Sequence, residues 1–178
     1  MITQQAKKGI EAIFLKAARN NLGKQDDEPL SIALLPEAVT APFSEKTIIV
    51  LTISSFVFRL LTIFHIDENA ETEAYFKAVA SDMSLVDVVS EQGNLCCGAM
   101  NRDLLKNFGH LGMSTPYTLG REVMDFIPDL KPGHIARFEV KITDTVSFHV
   151  TLCMCENAPI DFRFDESHEE ETGALELF

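Results

Sequence analysis

Two segments of the chain carry apolar residues at the spacing of an amphipathic helix. The apolar positions of the first recur every three or four residues, at Ile10, Ile13, Phe14, Ala17 and Ala18. Gly23 directly follows Leu22 and is predicted to end this helix as a C-cap. The second helix is predicted from Glu68 to Asp82, with a buried side made of Ala74, Tyr75, Ala78 and Val79. Each helix is expected to pack one face on a core.

Other segments are rich in β-branched and aromatic residues, which predicts strands. The clearest is Thr47–Ile53, for which we predict a hairpin with Phe56–His65. Further strands are predicted at Leu30–Leu35, Thr115–Leu119, His134–Thr143 and Val146–Cys155. Because hairpins dominate and helices lie between them, the pattern predicts an α/β fold of the α+β type, with helices packed on a largely antiparallel sheet.

The apolar run Thr47–Ile66 has the length of a membrane-spanning helix, at twenty residues. Arg59 lies near its middle, where an arginine costs about 2.5–3.5 kcal/mol in a bilayer. The pair Ser54-Ser55 also divides the run. We therefore predict a β-hairpin here and no interaction with a membrane.

A third helix is predicted from Ser84 to about Asn107, and it carries the most informative residues of the chain. Asp87, Glu91, Asn94 and Gly98 fall within an arc of roughly 60° at 3.6 residues per turn. We call these four residues the polar stripe. The opposite side is apolar and is predicted to face the core; it comprises Leu85, Val88, Val89, Leu95, Cys96, Ala99 and Met100. The apolar face is thus expected to pack on the core, and the polar stripe is expected to remain available to a partner.

Each residue of the polar stripe also has a structural interpretation. Ser84 and Asp87 match a capping box, in which both side chains satisfy groups at the helix start. Glu91 and Asn94 by themselves are typical of a solvated helix surface. Glycine inside a helix costs about 0.5–1 kcal/mol relative to alanine, so Gly98 predicts a close approach, either by a partner or by a second helix.

The residues Glu91-Gln-Gly-Asn94-Leu-Cys-Cys-Gly98 are followed beyond the helix by Met113-Ser-Thr-Pro116-Tyr-Thr-Leu-Gly120. This paired pattern resembles the chemotaxis phosphatase family of CheX, CheC and FliY. The family's signature is a helix carrying Glu-x-x-Asn with a Gly four residues after the Asn. A strand entered through a Pro, with a Gly four residues further on, follows it. The resemblance covers roughly residues 45–156, and it implies a CheC-like fold.

The resemblance implies a phosphatase that hydrolyses the phosphoaspartate of a response-regulator receiver domain of the CheY type. Asn94 would hold the attacking water, since an amide offers donors and an acceptor without adding charge beside a phosphoryl group. Glu91 would pair with the active-site lysine of the receiver. Asp87 and Gly98 are then candidate binding residues. The chain needs no cofactor of its own, because the Mg²⁺ belongs to the receiver.

Only one copy of the signature helix is present, which resembles the single-site CheX type and implies a homodimer. Two alternatives to catalysis remain open. One is a module that binds a receiver without hydrolysis, which the unusual Gln92-Gly93 pair would allow. The other is a structural piece of a flagellar-switch-type assembly.

Composition and charge narrow the partners. The chain has 178 residues, 46% of them hydrophobic, which predicts one domain over residues 1–155. Residues 156–178 form an acidic C-terminal tail, with Glu169–Glu171 at its centre and the apolar end Ala174–Phe178. A formal net charge of −12 argues against nucleic acid and anionic membranes as partners. The start of the chain has no secretory signal pattern, so we expect a cytoplasmic protein.

Cysteines and histidines do not form a recognisable site in the sequence. The pairs Cys96-Cys97 and Cys153-x-Cys155 lack the spacing of a structural zinc site, so buried thiols are predicted. The histidines show no metal-ligand spacing, and no glycine-rich phosphate loop is present. We therefore predict no metal site in this chain.

Overall fold

An antiparallel sheet organises the chain, whose computed structural model describes residues 1–22, 30–37, 39, 43–79 and 82–165. Within these residues the sheet has seven strands, in the order β1-β6-β7-β3-β2-β4, with β5 also paired to β2. The strands are β1 Ser31–Leu34, β2 Thr47–Ser54, β3 Phe58–Ile66, β4 Gly112–Met113, β5 Tyr117–Gly120, β6 His134–Lys141 and β7 Ser147–Glu156. Every pairing is antiparallel, and β2 and β3 form the predicted hairpin. The predicted α+β architecture is confirmed.

Helices cover one face of the sheet. They are α1 Gln4–Asn21, α2 Ala70–Val79 and α3 Leu85–Leu105. A 3₁₀ helix at Arg121–Leu130 packs on the other face. Because strand side chains alternate between the two faces, Ile49 and Leu51 of β2 point into the main core under α1 and α3. Ile48 and Val50 point to the other face, where Met124 of the 3₁₀ helix packs on them. No helix in the described ranges has both the length and the apolar content to cross a membrane.

The chain after β7 returns to α1. The backbone N–H of Thr3 donates to the Ile160 carbonyl at 3.1 Å, and Ile2 and Ile160 form a parallel bridge. Phe162 is buried, and its ring lies 3.0 Å from the point where a Cβ on Gly9 would sit. The first part of the predicted tail is therefore packed on the domain. The rest of it, from Glu166 to Phe178, lies outside the described residues.

Several sequence predictions need correction or fall outside the described residues. In α2, Tyr75 packs against the core as predicted, whereas Ala74 and Ala78 are exposed and Thr72 and Phe76 are buried instead. The side chain of Val79 lies outside the part of the chain that the structure describes. The two-residue strand β4 and the 3₁₀ helix were not predicted, since such short or irregular elements carry no clear hydrophobic period. The predicted cap at Gly23 lies outside the described residues, and α1 is capped at Leu22.

Candidate functional site

Side-chain hydrogen bonds cap the first turn of helix α3. Ser84 is its N-cap, and the Ser84 Oγ accepts a hydrogen bond from the Asp87 backbone N–H at 3.2 Å. The same hydroxyl donates to the Asp87 carboxylate at 2.6 Å. The side chain of Asp87 is thus engaged in capping. A contact between Asp87 and a partner stays a prediction.

The two glycines inside α3, Gly93 and Gly98, differ in how closely other residues pack against them. A Cβ on Gly93 would lie 3.0 Å from Phe64 Cε2 and 3.2 Å from Leu51 Cδ1, so the helix backbone lies directly on β2 and β3 there. A glycine at position 93 is therefore required by the packing of α3 on the sheet. A Cβ on Gly98 would meet only the Arg102 guanidinium, at 3.8 Å. Within the described residues, no neighbouring element requires a glycine at position 98.

Glu91 and Asn94 lie on the face of α3 that points away from the sheet. Glu91 is exposed and Asn94 is half-buried. Neither side chain hydrogen-bonds or forms an ion pair with any part of the chain that the structure describes. One helix therefore presents a carboxylate and an amide, three residues apart, with their bonding capacity free for a partner.

Leu95 is exposed, at 51%, although the sequence placed it on the buried side. The residue lies one turn after Glu91, so it shares the exposed face of the helix rather than the face packed on the sheet. An apolar side chain thus flanks the acid and the amide. This is a feature of the site that the sequence pattern did not reveal.

The two halves of the sequence pattern meet on β2. The helix α3 packs over this strand through Gly93, while β5 pairs with its edge, from Tyr117 opposite Val50 to Gly120 opposite Thr47. Ser114 anchors the connection, because its Oγ accepts from the Thr52 backbone N–H at 2.9 Å. The strand entered through Pro116 and the helix α3 therefore both pack on β2.

The four cysteines are buried and free, as predicted. Burial raises the pKa of the Cys97 thiol to about 12, and the nearby Thr62 hydroxyl offsets only part of this effect. Burial also raises the pKa of Cys96 well above its ordinary value. These thiols are protonated at neutral pH, so they are core residues and not nucleophiles.

A cluster of polar residues, which the sequence did not predict, lies on the sheet face opposite α3. His149 Nδ1 is 2.5 Å from Glu45 Oε1, and His65 Nε2 is 2.9 Å from Thr151 Oγ1. Phe43 stacks on the His149 ring at a centroid distance of 4.0 Å. These residues come from distant parts of the chain and give both histidines structural partners. The part of the chain that the structure describes has no group of three or more His, Cys, Asp or Glu placed to hold a metal ion.

The fold is similar to that of solved chemotaxis proteins. Chemotaxis protein CheX from Vibrio vulnificus superposes with a TM-score of 0.57 at 13% identity, covering 82% of this chain and 98% of that one. A CheC-like superfamily protein from Shewanella sp. PV-4 gives 0.57 at 10%, over 82% and 97%. The CheX-CheY-BeF₃-Mg²⁺ complex from Borrelia burgdorferi gives 0.55 at 12%, over 83% and 96%. No protein-family profile and no curated protein sequence matches the chain. At these identities the likeness shows a CheX/CheC-like fold.

Proposed function

We propose that this chain, with its CheX/CheC-like fold, binds a phosphorylated receiver domain through the exposed face of α3 and hydrolyses the phosphoaspartate of that receiver. The observation that carries the proposal is the pair Glu91 and Asn94. Both side chains project from one rigid helix and lack partners among the described residues, next to an exposed leucine. The Borrelia neighbour was solved with CheY, BeF₃ and Mg²⁺, so a protein of this fold is found with a receiver.

In the proposed reaction a water attacks the phosphorus atom, the bond between phosphorus and the aspartate oxygen breaks, and free carboxylate and inorganic phosphate result. Asn94 holds the water by accepting a hydrogen bond from it through the amide oxygen, while the amide N–H₂ donates to a nearby oxygen. Catalysis of this type consists mainly of positioning and electrostatic stabilisation. A nucleophile in this chain is not required.

Glu91 has the complementary role of setting the register. Its carboxylate pairs with the active-site lysine of the receiver, which places Asn94 over the phosphoryl group. The Mg²⁺ ion is carried by the receiver and neutralises phosphoryl charge there. Asp87 and Gly98 lie on the same face and serve as contact positions.

We also propose that the protein is a homodimer, because of the family resemblance. Sedimentation of the purified protein would test this oligomeric state.

The test is the lifetime of phosphoaspartate on receiver domains of the source organism, with the protein added in catalytic amounts. Wild type is expected to shorten the lifetime on its cognate receiver, and Asn94→Ala to abolish that effect while thermal unfolding is unchanged. Asn107→Ala is the matched control, because this exposed amide lies just past the end of α3. Glu91→Gln is expected to raise KM.

Two results would contradict the proposal. If one receiver binds but its phosphate is lost no faster than without the protein, the chain is a binding module. If no receiver binds and the protein copurifies with a large complex, its role is structural.

A further inference from the structure

The guanidinium of Arg102 lies above Gly98, on the same face of α3 as Glu91 and Asn94. Helical side chains lean toward the N-terminus, so an arginine four residues after a glycine reaches back over it. Nη1 of Arg102 lies 3.8 Å from the point that a Cβ on Gly98 would occupy. At this distance the guanidinium would make ordinary van der Waals contact with such a Cβ, so it lies directly beside Gly98. It is then about 6 Å, or one helical turn, beyond Asn94 along the axis.

No described residue neutralises the positive charge of Arg102 through an ion pair. The Arg102 side chain is exposed. The nearest carboxylate in sequence, Asp103, is already engaged, by Lys106 at 3.0 Å and by Lys16 at 3.5 Å. The chain as a whole carries a formal charge of −12, whereas Arg102 places an unpaired positive charge beside the polar stripe.

We infer that Arg102 is a further binding residue of the proposed site, and that it contacts an anionic oxygen of the phosphorylated receiver. This inference rests on the proposed function. A guanidinium is planar, stays charged at all relevant pH values, and binds phosphate or carboxylate with two parallel hydrogen bonds. Glu91 and Arg102 then present opposite charges at the two ends of the site, with Asn94 and Leu95 between them. Such an arrangement fits a surface with a cation at one end and an anion at the other.

The anionic oxygen has two possible sources in a receiver, the phosphoryl group and a carboxylate. The test therefore compares two forms of the cognate receiver, one with Mg²⁺ alone and one with Mg²⁺ and beryllium fluoride. The variants are Arg102→Gln, Arg102→Lys and the control Arg59→Gln. Arg59 is exposed on the sheet face opposite α3, so its replacement removes the same charge away from the site.

Arg102→Gln is expected to raise KM for dephosphorylation about tenfold with kcat nearly unchanged, as for the loss of one charged hydrogen bond. Arg59→Gln is expected to behave as wild type. Arg102→Lys is expected to show a smaller increase in KM than Arg102→Gln, because lysine keeps the positive charge but cannot donate two parallel hydrogen bonds. The affinity of Arg102→Gln should also depend less on salt than that of wild type. A purely structural role would not change the salt dependence.

The two receiver forms separate the sources of the contact. Weaker binding of Arg102→Gln to the beryllium fluoride form alone indicates the phosphoryl group, whereas equal weakening of both forms indicates a carboxylate. Either result supports the inference. Wild-type affinity of Arg102→Gln for both forms would overturn it, even if Asn94→Ala shows that the phosphatase proposal is correct.

The inference can also survive the loss of the proposed catalysis. If wild type binds a receiver without hydrolysing its phosphate, the phosphatase proposal fails, and the affinities still decide the role of Arg102. If wild type binds neither form of any receiver, both proposals fail.

Discussion

The ring of Phe64 lies 3.0 Å from the point that a Cβ on Gly93 would occupy. Phe64 is fully buried, as is Leu51 on the neighbouring strand. The catalytic face that we propose is therefore presented by a helix whose opposite face is pressed onto the sheet. This close contact explains a glycine at a position where helix propensity alone would disfavour one.

Gly93→Ala is expected to destabilise the protein by about 1–3 kcal/mol, because the added methyl group overpacks a core in which neither neighbour can move freely. Urea unfolding followed by circular dichroism measures the change. A variant as stable as wild type would show that α3 does not lie as close to β3 as described.

Gly98→Ala is the same substitution on the other face of the same helix, and it is expected to have the opposite effect on stability. The added Cβ meets only Arg102 at ordinary contact distance, so stability should rise by about 0.5–1 kcal/mol. If Gly98 is a contact position, kcat/KM for receiver dephosphorylation falls at the same time. Unchanged kcat/KM would remove Gly98 from the proposed site.

Ser84→Ala is expected to lower stability by about 1 kcal/mol, since it removes the hydrogen bond to the Asp87 backbone N–H. It keeps the Asp87 carboxylate, so KM should be unaffected. Asp87→Asn, by contrast, should raise KM if Asp87 contacts the receiver. Should neither variant change KM, Asp87 is a capping residue only. Thermal unfolding and steady-state kinetics on both variants give the answer.

Stability is expected to fall as the pH drops from 6.5 toward 4, because of His65. Burial lowers the pKa of His65 from 6.5 to about 4, so over this range the unfolded chain binds a proton that the folded chain does not. The loss is about 3 kcal/mol when complete. The charged and titratable groups that act on His65 are Glu45, which favours its protonation, and His149 and Arg137, which oppose it.

Glu45 also makes the folded protein less stable as the pH falls, but at a lower pH than His65. Burial by itself would raise its pKa, but hydrogen bonds from His149 and the backbone outweigh burial, and the pKa is lowered. Its contribution is therefore present above 4.5 and is lost as the pH falls through the folded value. Urea unfolding at a series of pH values should give a flatter profile for His65→Gln than for wild type. Exposed His110, replaced by Asn, is the control. Equal slopes for wild type and His65→Gln would contradict the assignment.

The character of each long helix and strand follows from the sequence alone. The helical period in α3 placed Glu91 and Asn94 on the face away from the core, and a run rich in β-branched residues predicted the β2–β3 hairpin. Such periods are local, so they can be read without knowing what the element packs against. The paired signature, in turn, led to the fold class that the structure confirms.

The residues that cover each face of these elements are known only from the way the elements pack together. It showed that Gly93 supports the sheet contact, that Leu95 is exposed and that the Arg102 guanidinium lies over Gly98. It also brought Glu45 to His149 across 104 positions of the chain. A hydrophobic period says which side of an element is apolar, but contacts between distant residues depend on how elements pack, and no local pattern encodes that.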